Sequence, residues 1–464
     1  MATMVQYTLG EHRGVSRLWI EGKRLVREGF TYGARLRMAI EDGRLTLRVL
    51  EAHETGHSVR VSRRKTNETP LFEIRDNLLA GLFGRRARVV VKFMRGRMTI
   101  TKHHLDERRT ERETALMQRL TGGEALRVAS LYHGGGVIDS AIHEGLSDAG
   151  VSSYCALASE IEPAYLEASL ANNPHLFRDD SLILNAPIEQ LNFAHALRVG
   201  ADLLVAGIPC TGASKAGKAK NRIKHAEQHA SAGAQFYAVL RMVEVLNPAI
   251  VLVENVVGYR DTAGYAVLVS TLATLGYRID DCALNGNDHG VLENRDRLAM
   301  VAVSDGLAGF DLSDVVPVAT KPANVAAILE PAEAVDALWK DYGYLRDKEA
   351  RDKASGKGFH RQIVTPEAER VGTIGRGYAK IRSTEPQLQH PTDPLLTRLF
   401  SVLEHARLKG IPARIVEGLS TTVAHEVLGQ SVVYPAFRAV GRALGRWLAA
   451  LSPARTESPA ALAA

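Results

Sequence analysis

Two side chains of this chain have types and positions that suit covalent chemistry. Cys210 follows the apolar run 203–208 and lies in a turn of small residues that continues through Gly212. A thiol in such a turn can act as a nucleophile when its thiolate is stabilised, although a free cysteine is as often a small buried hydrophobe. Glu254 ends a second apolar run, 250–253, and offers a carboxyl group for proton transfer.

The elements that carry these side chains indicate how they could meet. Both apolar runs are typical of buried strands, and from Ala125 onward strand and helix patterns alternate, beginning with a strand over 126–131. The sequence therefore predicts an α/β domain with a parallel sheet. Because adjacent parallel strands open their carboxyl ends into one crevice, we expect Cys210 and Glu254 to face a common ligand.

Three motifs occur in a fixed order along this part of the chain: Gly207-Ile208-Pro209-Cys210, Glu254-Asn255-Val256, and Glu293-Asn294-Arg295-Asp296-Arg297. They resemble the Pro-Cys, Glu-Asn-Val and Gln-x-Arg-x-Arg motifs of the cytosine-5 DNA methyltransferases over roughly residues 126–450. The resemblance implies a Rossmann-like, S-adenosylmethionine-dependent methyltransferase fold. It also implies a catalytic domain of 125–304 plus 428–451 around a small target-recognition region, 305–427.

The same resemblance assigns roles to the motif residues. Cys210 is expected to add to C6 of a cytosine that has been swung out of duplex DNA, and Glu254 is expected to act as the acid at N3. Arg295 and Arg297 would hold the carbonyl oxygen of the base and orient it against Cys210. S-adenosyl-L-methionine is the expected cofactor, and no metal is required.

Residues at the carboxyl ends of the first strands are expected to bind the cofactor. An acid after the second strand, Glu160, is placed to accept hydrogen bonds from ribose hydroxyls, and Ile161 could lie on the adenine. The other predicted cofactor residues lie in the first Gly-rich turn, after later strands and near the C-terminus: Tyr132, Gly134, Gly136, Asn185, Gly207, Pro209, Ser431 and Val432.

The segment after Cys210 is rich in Gly, Lys and His and resembles the family's loop that closes over the extruded base. Ser214, Lys215, Lys218 and, in the target-recognition region, Arg376 are the predicted DNA contacts. Lysines in a surface loop are also common without function.

Six positions depart from the family pattern, namely Ser130, Val137, Pro187, Thr211, Glu293 and Gln430. They keep open a second hypothesis, a catalytically silent DNA-binding regulator with a methyltransferase fold. A third hypothesis is an RNA cytosine-5 methyltransferase, which the large 305–394 segment disfavours. Intact Cys210, Glu254, Arg295 and Arg297 favour the DNA enzyme.

The N-terminal quarter contains an internal repeat with a constant offset of 53 residues. Leu18-Trp19, Leu25 and Phe30 recur as Leu71-Phe72, Leu78 and Phe83, and each copy predicts strand, short turn or helix, strand, Gly-containing turn and strand. We expect the copies to pair into one β-rich domain over 1–102. The first copy resembles the SymE-type relatives of the AbrB swapped-hairpin fold, many of which bind DNA, although a structural or protein-contact module is nearly as compatible.

Residues 103–124 alternate charges at helical spacing and predict a helical linker, whereas the Ala/Pro/Ser-rich tail, 452–464, predicts disorder. The net charge of the whole chain is +6. Residues 1–112 hold 24 Lys and Arg against 13 Asp and Glu, which gives +11 for this quarter and −5 for the remainder. A basic module in a DNA enzyme favours phosphate contact.

Composition sets the remaining expectations. With 45% hydrophobic and 24% charged residues the chain predicts soluble, globular domains. Its three cysteines have no pairing or metal-binding spacing, and we see neither a signal pattern nor a membrane span, so we expect a cytoplasmic protein. The expected partners are double-stranded DNA and, as a candidate, a cognate restriction endonuclease; the protein itself is expected to be a monomer.

Overall fold

The computed structural model describes residues 2–64, 69–190, 199–210, 212–213, 221–230 and 232–451. The predicted disordered tail, 452–464, lies outside the described residues. The chain divides into two compact units, Met1–Glu111 and Arg112–Ala464. No helix among the described residues is long and apolar enough to cross a membrane.

Unit 1 is built from ten strands and two short helices. In chain order these are β1 Thr3–Thr8, β2 Gly10–His12, β3 Val15–Glu21, α1 Lys23–Arg27, β4 Arg35–Glu41, β5 Arg44–Val49, β6 Val59–Arg60, β7 Ser62–Arg63, β8 Pro70–Arg75, α2 Asn77–Phe83, β9 Arg88–Met94 and β10 Arg97–Lys102. They form a six-stranded sheet, β1-β9-β10-β5-β4-β6, and a four-stranded sheet, β2-β3-β8-β7. Apolar side chains of both sheets and both helices form one hydrophobic core.

The two halves of unit 1 are related by a pseudo-two-fold axis. Strands β4 and β5 shifted by 53 residues give the bounds of β9 and β10. In the antiparallel β5–β10 pair Thr46 lies opposite Thr99, its own repeat equivalent. The β3 strand of the first copy pairs with β8 of the second. Each copy therefore completes the sheets of the other, as expected of a repeat unit too small to bury its own apolar face.

A long helix, α3 His104–Gly122, crosses the boundary between the units. Its residues from Arg112 onward belong to unit 2, where the Arg112 guanidinium donates to the carbonyl of Gly276 at 2.7 Å and Leu116 is fully buried in the main core. This half of the predicted linker is thus part of a packed domain, because its apolar side chains cover the sheet.

Unit 2 is organised around a seven-stranded sheet of order β13-β12-β11-β14-β15-β17-β16. The five strands β11 to β15 are parallel, and β17 and β16 add an antiparallel hairpin beside β15. The bounds of these strands and of the helices around them are β11 Leu126–Leu131, α4 Val137–Asp148, β12 Ser153–Ser159, α5 Pro163–Asn172, β13 Leu182–Leu184, β14 Leu203–Gly207, α6 Gln235–Leu246, β15 Ile250–Asn255, α7 Ala263–Thr274, β16 Tyr277–Asn285 and β17 Asp296–Ser304.

The sheet is covered on both faces, which explains why its central strands β14 and β15 are almost continuously apolar. One face packs against α4 and the C-terminal helix α12, Tyr434–Leu451. The other packs against α6 and α7. Helices α4 and α12 approach closely because Gly145 and Gly441 lie between them: a Cβ at Gly145 would be 2.2 Å from a carbonyl oxygen of α12. The last helix therefore packs on the sheet.

A smaller substructure follows β17. It contains α8 Ala332–Val335, β18 Lys340–Asp341, α9 Gly343–Ala354, β19 Gln362–Val364, β20 Pro386–Gln389 and β21 Leu396–Arg398. The four strands form a sheet of order β18-β21-β20-β19, and residues such as Val325, Tyr378 and Phe400 form a separate core. This is the body of the predicted target-recognition region.

The C-terminal boundary predicted for that region requires correction. Helices α10 Val402–Leu408 and α11 Thr421–Gln430 follow the small sheet, and Ala406, Ile415 and Ala424 are buried in the main core beside the seven-stranded sheet. Most of residues 402–427 therefore belongs to the catalytic core, because these segments bury their apolar faces there.

Candidate active site

Cys210 lies just beyond the carboxyl end of β14, next to the end of β15. In the parallel register of these two strands Gly207 pairs with Glu254. The buried side chain of Asn255, 1% exposed, donates from Nδ2 to the carbonyl of Ile208 at 3.2 Å. The Glu-Asn pair thus supplies the acid and also fixes the backbone of the turn that carries Cys210.

Glu254 and Arg297 form an ion pair across neighbouring strands, with Nε of Arg297 3.0 Å from Oε1 of Glu254. Burial of the carboxyl raises the pKa of Glu254, and the charges of Arg297 and Arg295 offset only part of that effect. Glu254 is therefore poised to carry a proton at higher pH than an ordinary glutamate, as a general acid must.

The thiol of Cys210 shares this electrostatic environment. Burial raises its pKa, Arg297 acts in the opposite direction, and Glu254 adds a smaller increase. The resting side chain is consequently a thiol that is close to two arginines and an acid. Such a thiol becomes nucleophilic when it loses its proton and the arginine charges stabilise the resulting thiolate.

Arg295 is placed differently from Arg297. Its side chain is 3% exposed, and its terminal nitrogens donate to the carbonyls of Ile374 at 3.2 Å and Gly429 at 3.1 Å. The guanidinium joins the catalytic hairpin to the target-recognition segment and to the end of α11. Of the two arginines predicted to hold the base, Arg297 therefore contacts Glu254, whereas Arg295 binds backbone carbonyls.

The residue that departs from the family motif, Glu293, is completely buried in an ion pair with Lys409. Nζ of Lys409 lies 2.6 Å from Oε2 of Glu293, and neither side chain is exposed. Oε1 of Glu293 accepts a hydrogen bond from the backbone of Ile374 at 2.8 Å. Through this ion pair and the Ile374 hydrogen bond, Glu293 connects its own segment to those of Lys409 and Ile374, next to Arg295.

The predicted cofactor residues after the first three strands are brought together. Oε2 of Glu160 accepts from the backbone N–H of Gly134 at 2.7 Å, and Nδ2 of Asn185 donates to the carbonyl of Glu160 at 2.9 Å. Ile161 projects an apolar side chain that is 62% exposed. An acid, an amide and an open apolar surface therefore line the same sheet edge.

Residues 132–136, called here the cofactor loop, lie beside this edge. A Cβ at Gly207 would be 3.8 Å from the carbonyl oxygen of Tyr132 and 3.7 Å from Glu254, so this glycine separates the loop from the acid. Gly136 points inward, since a Cβ there would be 2.3 Å from Oγ of Ser169. Packing beneath the loop therefore accounts for the glycine at 136.

The remaining cofactor predictions are placed less uniformly. Pro209 is exposed beside Cys210. Ser431 donates its hydroxyl to the carbonyl of Leu428 at 2.7 Å, and the side chain of Val432 belongs to the hydrophobic core, which leaves the backbone of these two residues for a ligand. Gln430 directs its side-chain nitrogen toward Gly134 and so faces the cofactor loop.

Three of the predicted DNA contacts, Ser214, Lys215 and Lys218, lie outside the described residues. Arg376 is half-exposed and lies 4.0 Å from a carboxylate oxygen of Glu426. Its guanidinium also lies over the ring of Tyr165. Phosphate would have to compete with that acid for Arg376.

Asn255 and Lys409 were missed as site residues in the sequence. Asn255 belongs to the Glu-Asn-Val motif, but no separate role was predicted for it. Its residue type could have indicated one, because a buried amide beside the predicted acid needs a hydrogen-bond partner. Lys409 had a weaker signal: it is an isolated lysine in a run that ends in Gly410-Ile411-Pro412, and its partner is 116 residues away.

Known proteins share this arrangement in sequence and fold. The sequence profile of C-5 cytosine-specific DNA methylases matches residues 126–446. The type II methyltransferase M.NlaX of Neisseria lactamica is 28% identical over 256 residues, which cover 54% of this chain and 78% of that protein. A DNA-cytosine methyltransferase of Escherichia coli K12 is 28% identical over 288 residues, 52% of this chain and 60% of that protein.

Among solved structures, S. pombe Dnmt2 methyltransferase superposes with a TM-score of 0.54 at 19% identity, covering 68% of this chain and 96% of that one. At this identity the likeness concerns the fold, and it confirms the predicted Rossmann-like methyltransferase architecture. The profile match covers more than half of the chain and includes every motif described above. The chain is a member of the C-5 cytosine-specific DNA methylase family and a DNA (cytosine-5) methyltransferase.

Proposed function

We propose that this enzyme transfers a methyl group from S-adenosyl-L-methionine to C5 of cytosine in duplex DNA at a specific sequence, through a covalent adduct between Cys210 and a flipped-out base. The observation that carries the proposal is the convergence of Cys210 and Glu254 at the carboxyl ends of the adjacent parallel strands β14 and β15 with Arg297 of the antiparallel strand β17, which forms the 3.0 Å pair with Glu254. Nucleophile, acid and cation are the groups that addition to a pyrimidine needs.

The residues of the sheet edge fit the cofactor. Both carboxylate oxygens of Glu160 accept backbone N–H groups, from Gly134 at 2.7 Å and Glu162 at 2.9 Å. A carboxylate has about four acceptor positions, so ribose hydroxyls can still donate to it. Exposed Ile161 offers an apolar surface for adenine, and Gly207 leaves space between the cofactor loop and Glu254. When bound, the cofactor supplies an electrophilic methyl group on a sulfonium sulfur.

The first steps follow from the protein's own groups. C5 of cytosine is too weak a nucleophile until the ring is activated, so the thiol of Cys210 gives up its proton to solvent and Sγ forms a bond to C6, which moves the electron pair of the C5–C6 double bond into the ring. The addition places negative charge toward N3, where protonated Glu254 donates or shares its proton. Arg297, held by Glu254, is placed to receive the carbonyl oxygen of the base.

The later steps regenerate the enzyme. Activated C5 accepts the methyl group and then gives up its proton to a water molecule. The electron pair left on C5 re-forms the C5–C6 double bond and expels Sγ, and N3 returns its proton to Glu254, so the ring recovers its aromatic character and Cys210 is free for the next cycle. Because the reacting edge is stacked inside duplex DNA, the base must first be swung out.

We propose that the target-recognition region recognises the DNA sequence, because the sheet edge can hold only the extruded base. Several relatives, including M.NlaX, are named type II methyltransferases. We therefore propose a restriction-modification setting, with a cognate endonuclease as candidate partner, and a cytoplasmic monomer acting on double-stranded DNA.

The test is transfer of tritiated methyl from S-adenosylmethionine to duplex DNA, followed by sequencing of the methylated positions. We expect label at C5 of cytosine in one short sequence, and none with Cys210→Ser. Label in RNA but not in DNA would favour the RNA enzyme. DNA binding without any transfer by the wild-type protein would favour the silent regulator.

We further propose that unit 1 adds an electrostatic DNA contact. The sheet register places Arg97 opposite Arg48 and Arg48 opposite Arg37, on three adjacent strands. These residues, called here the arginine row, are exposed on the outer face of the six-stranded sheet. Glu54 binds Arg48 at 2.6 Å and offsets part of the charge, but the unit as a whole remains strongly basic. Such a face suits a phosphate backbone.

A further inference from the structure

A buried polar network lies directly beneath the cofactor loop. His133, the second residue of the loop, has Nδ1 2.9 Å from Oδ2 of Asp139, and neither side chain is exposed. Oγ of Ser130 lies 2.9 Å from Nδ1 of His133 and donates to Asp139 at 2.8 Å. On the other side of the ring, Nε2 lies 2.7 Å from Oγ of Ser169.

The network connects the loop to three elements of the domain. Ser130 belongs to β11, Asp139 to α4 and Ser169 to α5. Groups of this polarity are rarely buried unless they are fully paired, because each loses its hydration. Their retention inside the sheet layer therefore calls for a role that an apolar side chain at 133 could not fill.

The loop above the network has an unfavourable backbone. Tyr132 has φ of +58°, Gly134 +58° and Gly136 +74°, so three of five consecutive residues occupy the left-handed region, and for Tyr132 this conformation is costly. Such a conformation persists only when its surroundings determine it. His133 lies between Tyr132 and Gly134 in this strained segment, and its side chain reaches the network beneath it.

Charge holds the network in one state. Burial acts to raise the pKa of Asp139, but the His133 ring, the charge of His143 and the Ser130 hydroxyl together outweigh it and keep that pKa below its ordinary value. Nearby Cys155 donates its thiol to the carbonyl of Leu157 at 3.3 Å, and burial raises its pKa well above the usual range. Ser130, His133, Asp139 and Ser169 are therefore joined by hydrogen bonds, and Cys155 lies beside them with its own backbone acceptor.

The network also accounts for a departure from the family pattern. Ser130 stands where the family carries an aspartate at the end of the first strand. Here Asp139, in the first turn of α4, accepts a hydrogen bond from Ser130 at 2.8 Å. The carboxylate at this end of the strand therefore comes from the helix.

From this geometry we propose that His133, held by Asp139, is a positioning residue for the cofactor. The ring fixes the loop so that the N–H of the next residue, Gly134, meets Oε2 of Glu160 at 2.7 Å. It thereby orients the carboxylate that receives the ribose. The inference rests on the proposed use of S-adenosylmethionine and adds to it the group that sets the shape of the site.

The test measures equilibrium binding of S-adenosylmethionine to the full-length protein by titration calorimetry, without DNA. Asp139→Asn keeps the shape of the side chain and removes its charge. We expect its Kd for the cofactor to rise about 10- to 100-fold, the loss typical of a buried charged hydrogen bond. Turnover at saturating cofactor and affinity for DNA should stay within about twofold of wild type, because neither depends on the loop in the same way.

Two further variants separate positioning from general destabilisation. The exchange Ser130→Asp with Asp139→Ser returns the carboxylate to the strand, and we expect it to recover most of the lost affinity. Ser304→Ala is the control for general destabilisation, since it removes a buried hydrogen bond, donated by Nε of Arg112 to Oγ of Ser304 at 2.8 Å, at the sheet edge opposite the carboxyl ends of the parallel strands. Its cofactor Kd should be unchanged. If Asp139→Asn does not fold, Ser169→Ala removes the other partner of His133 and should weaken binding by about 3- to 10-fold.

The outcomes are distinguishable. Wild-type binding with an unaltered Kd in folded Asp139→Asn overturns the inference alone. An equal loss in Ser304→Ala also overturns it, because the effect would then be general destabilisation. Absence of S-adenosylmethionine binding by the wild-type protein overturns the proposed function itself.

Discussion

Replacing Glu293 by Gln, the residue of the family motif, should destabilise this protein although it restores the common sequence. The carboxylate of Glu293 is the partner of a lysine that is also completely buried. It also accepts the Ile374 N–H at 2.8 Å and lies 3.5 Å from Arg295. In Glu293→Gln two buried cations remain, Lys409 and Arg295, without the anion between them.

The expected magnitude follows from the burial of this pair. Removal of one partner of a buried ion pair costs about 3–5 kcal/mol, because the other charge is left uncompensated. Lys409 can reduce this cost by losing its proton: burial, with Arg295 nearby, lowers its pKa to about 7. A folded-state pKa below the unfolded value of about 10.4 means that the buried charge opposes folding most below pH 7 and less as pH rises. We therefore expect a loss of about 3 kcal/mol at pH 7 that diminishes toward pH 9.

The assay is urea-induced unfolding followed by tryptophan fluorescence in a Trp19→Phe background, where the remaining reporters, Trp339 and Trp447, both lie in unit 2. The double variant Glu293→Gln with Lys409→Met should recover most of the stability, because no unpaired lysine is left. A coupling energy of about 2 kcal/mol or more in the double-mutant cycle is expected. Coupling near zero, with Glu293→Gln as stable as wild type, would refute this account of the pair.

Three further predictions concern other groups. Burial raises the pKa of Glu385 to about 7. Because this pKa exceeds the unfolded value, the contribution of Glu385 to folding stability is fully present below about pH 4.5 and is lost as pH rises through 7. At pH 8.5 we therefore expect Glu385→Gln to be more stable than wild type by about 2 kcal/mol, after allowance for solvent screening. Melting temperatures at pH 5 and 8.5 check this, with exposed Glu367→Gln as control, and equal shifts in both variants would contradict it. Glu254→Gln should slow turnover at saturating cofactor by about 100-fold with little change in cofactor Kd, whereas Glu160→Ala should weaken cofactor binding first; kinetics beside calorimetry decide, and the reverse pattern would exchange the two roles. Substitution of the arginine row by glutamine in the full-length chain should leave the methylated sequence unchanged and reduce the slope of log affinity against log salt by about 2–3, whereas an unchanged slope would remove the DNA contact.

The sequence predicted best what depends on local pattern. The strand over 126–131 has the expected bounds, because a short, mostly apolar run before a Gly-rich turn has few alternatives. In unit 1 the 53-residue offset reproduces the bounds of β9 and β10 from those of β4 and β5, because the repeated pattern specifies the same elements twice. The order of the motifs was also sufficient to predict that Cys210 and Glu254 lie at one edge of the sheet, because adjacent parallel strands have their carboxyl ends at the same edge.

What the sequence did not predict depends on contacts between distant segments. Arg295 and Arg297 are equivalent in the motif, yet their contacts differ. Arg297 pairs with Glu254, whereas Arg295 donates to the carbonyls of Ile374 and Gly429. The partner of Glu293 lies 116 residues away, and no local pattern selects it. The placement of 402–427 in the main core also depends on which apolar face the helices cover, and periodicity alone gives no such information.

The central claim is that Cys210 forms a bond to the base, and trapping that bond tests it most directly. Duplex DNA with 5-fluorocytosine at the methylated position should hold the enzyme covalently in the presence of S-adenosylmethionine, because C5 then has no proton to lose and Cys210 cannot be released. We expect a complex that survives denaturing electrophoresis, with the modified peptide containing Cys210, and no such complex for Cys210→Ser. Methyl transfer to ordinary cytosine by the wild-type protein without any trapped complex, or an adduct on another residue, would contradict the mechanism.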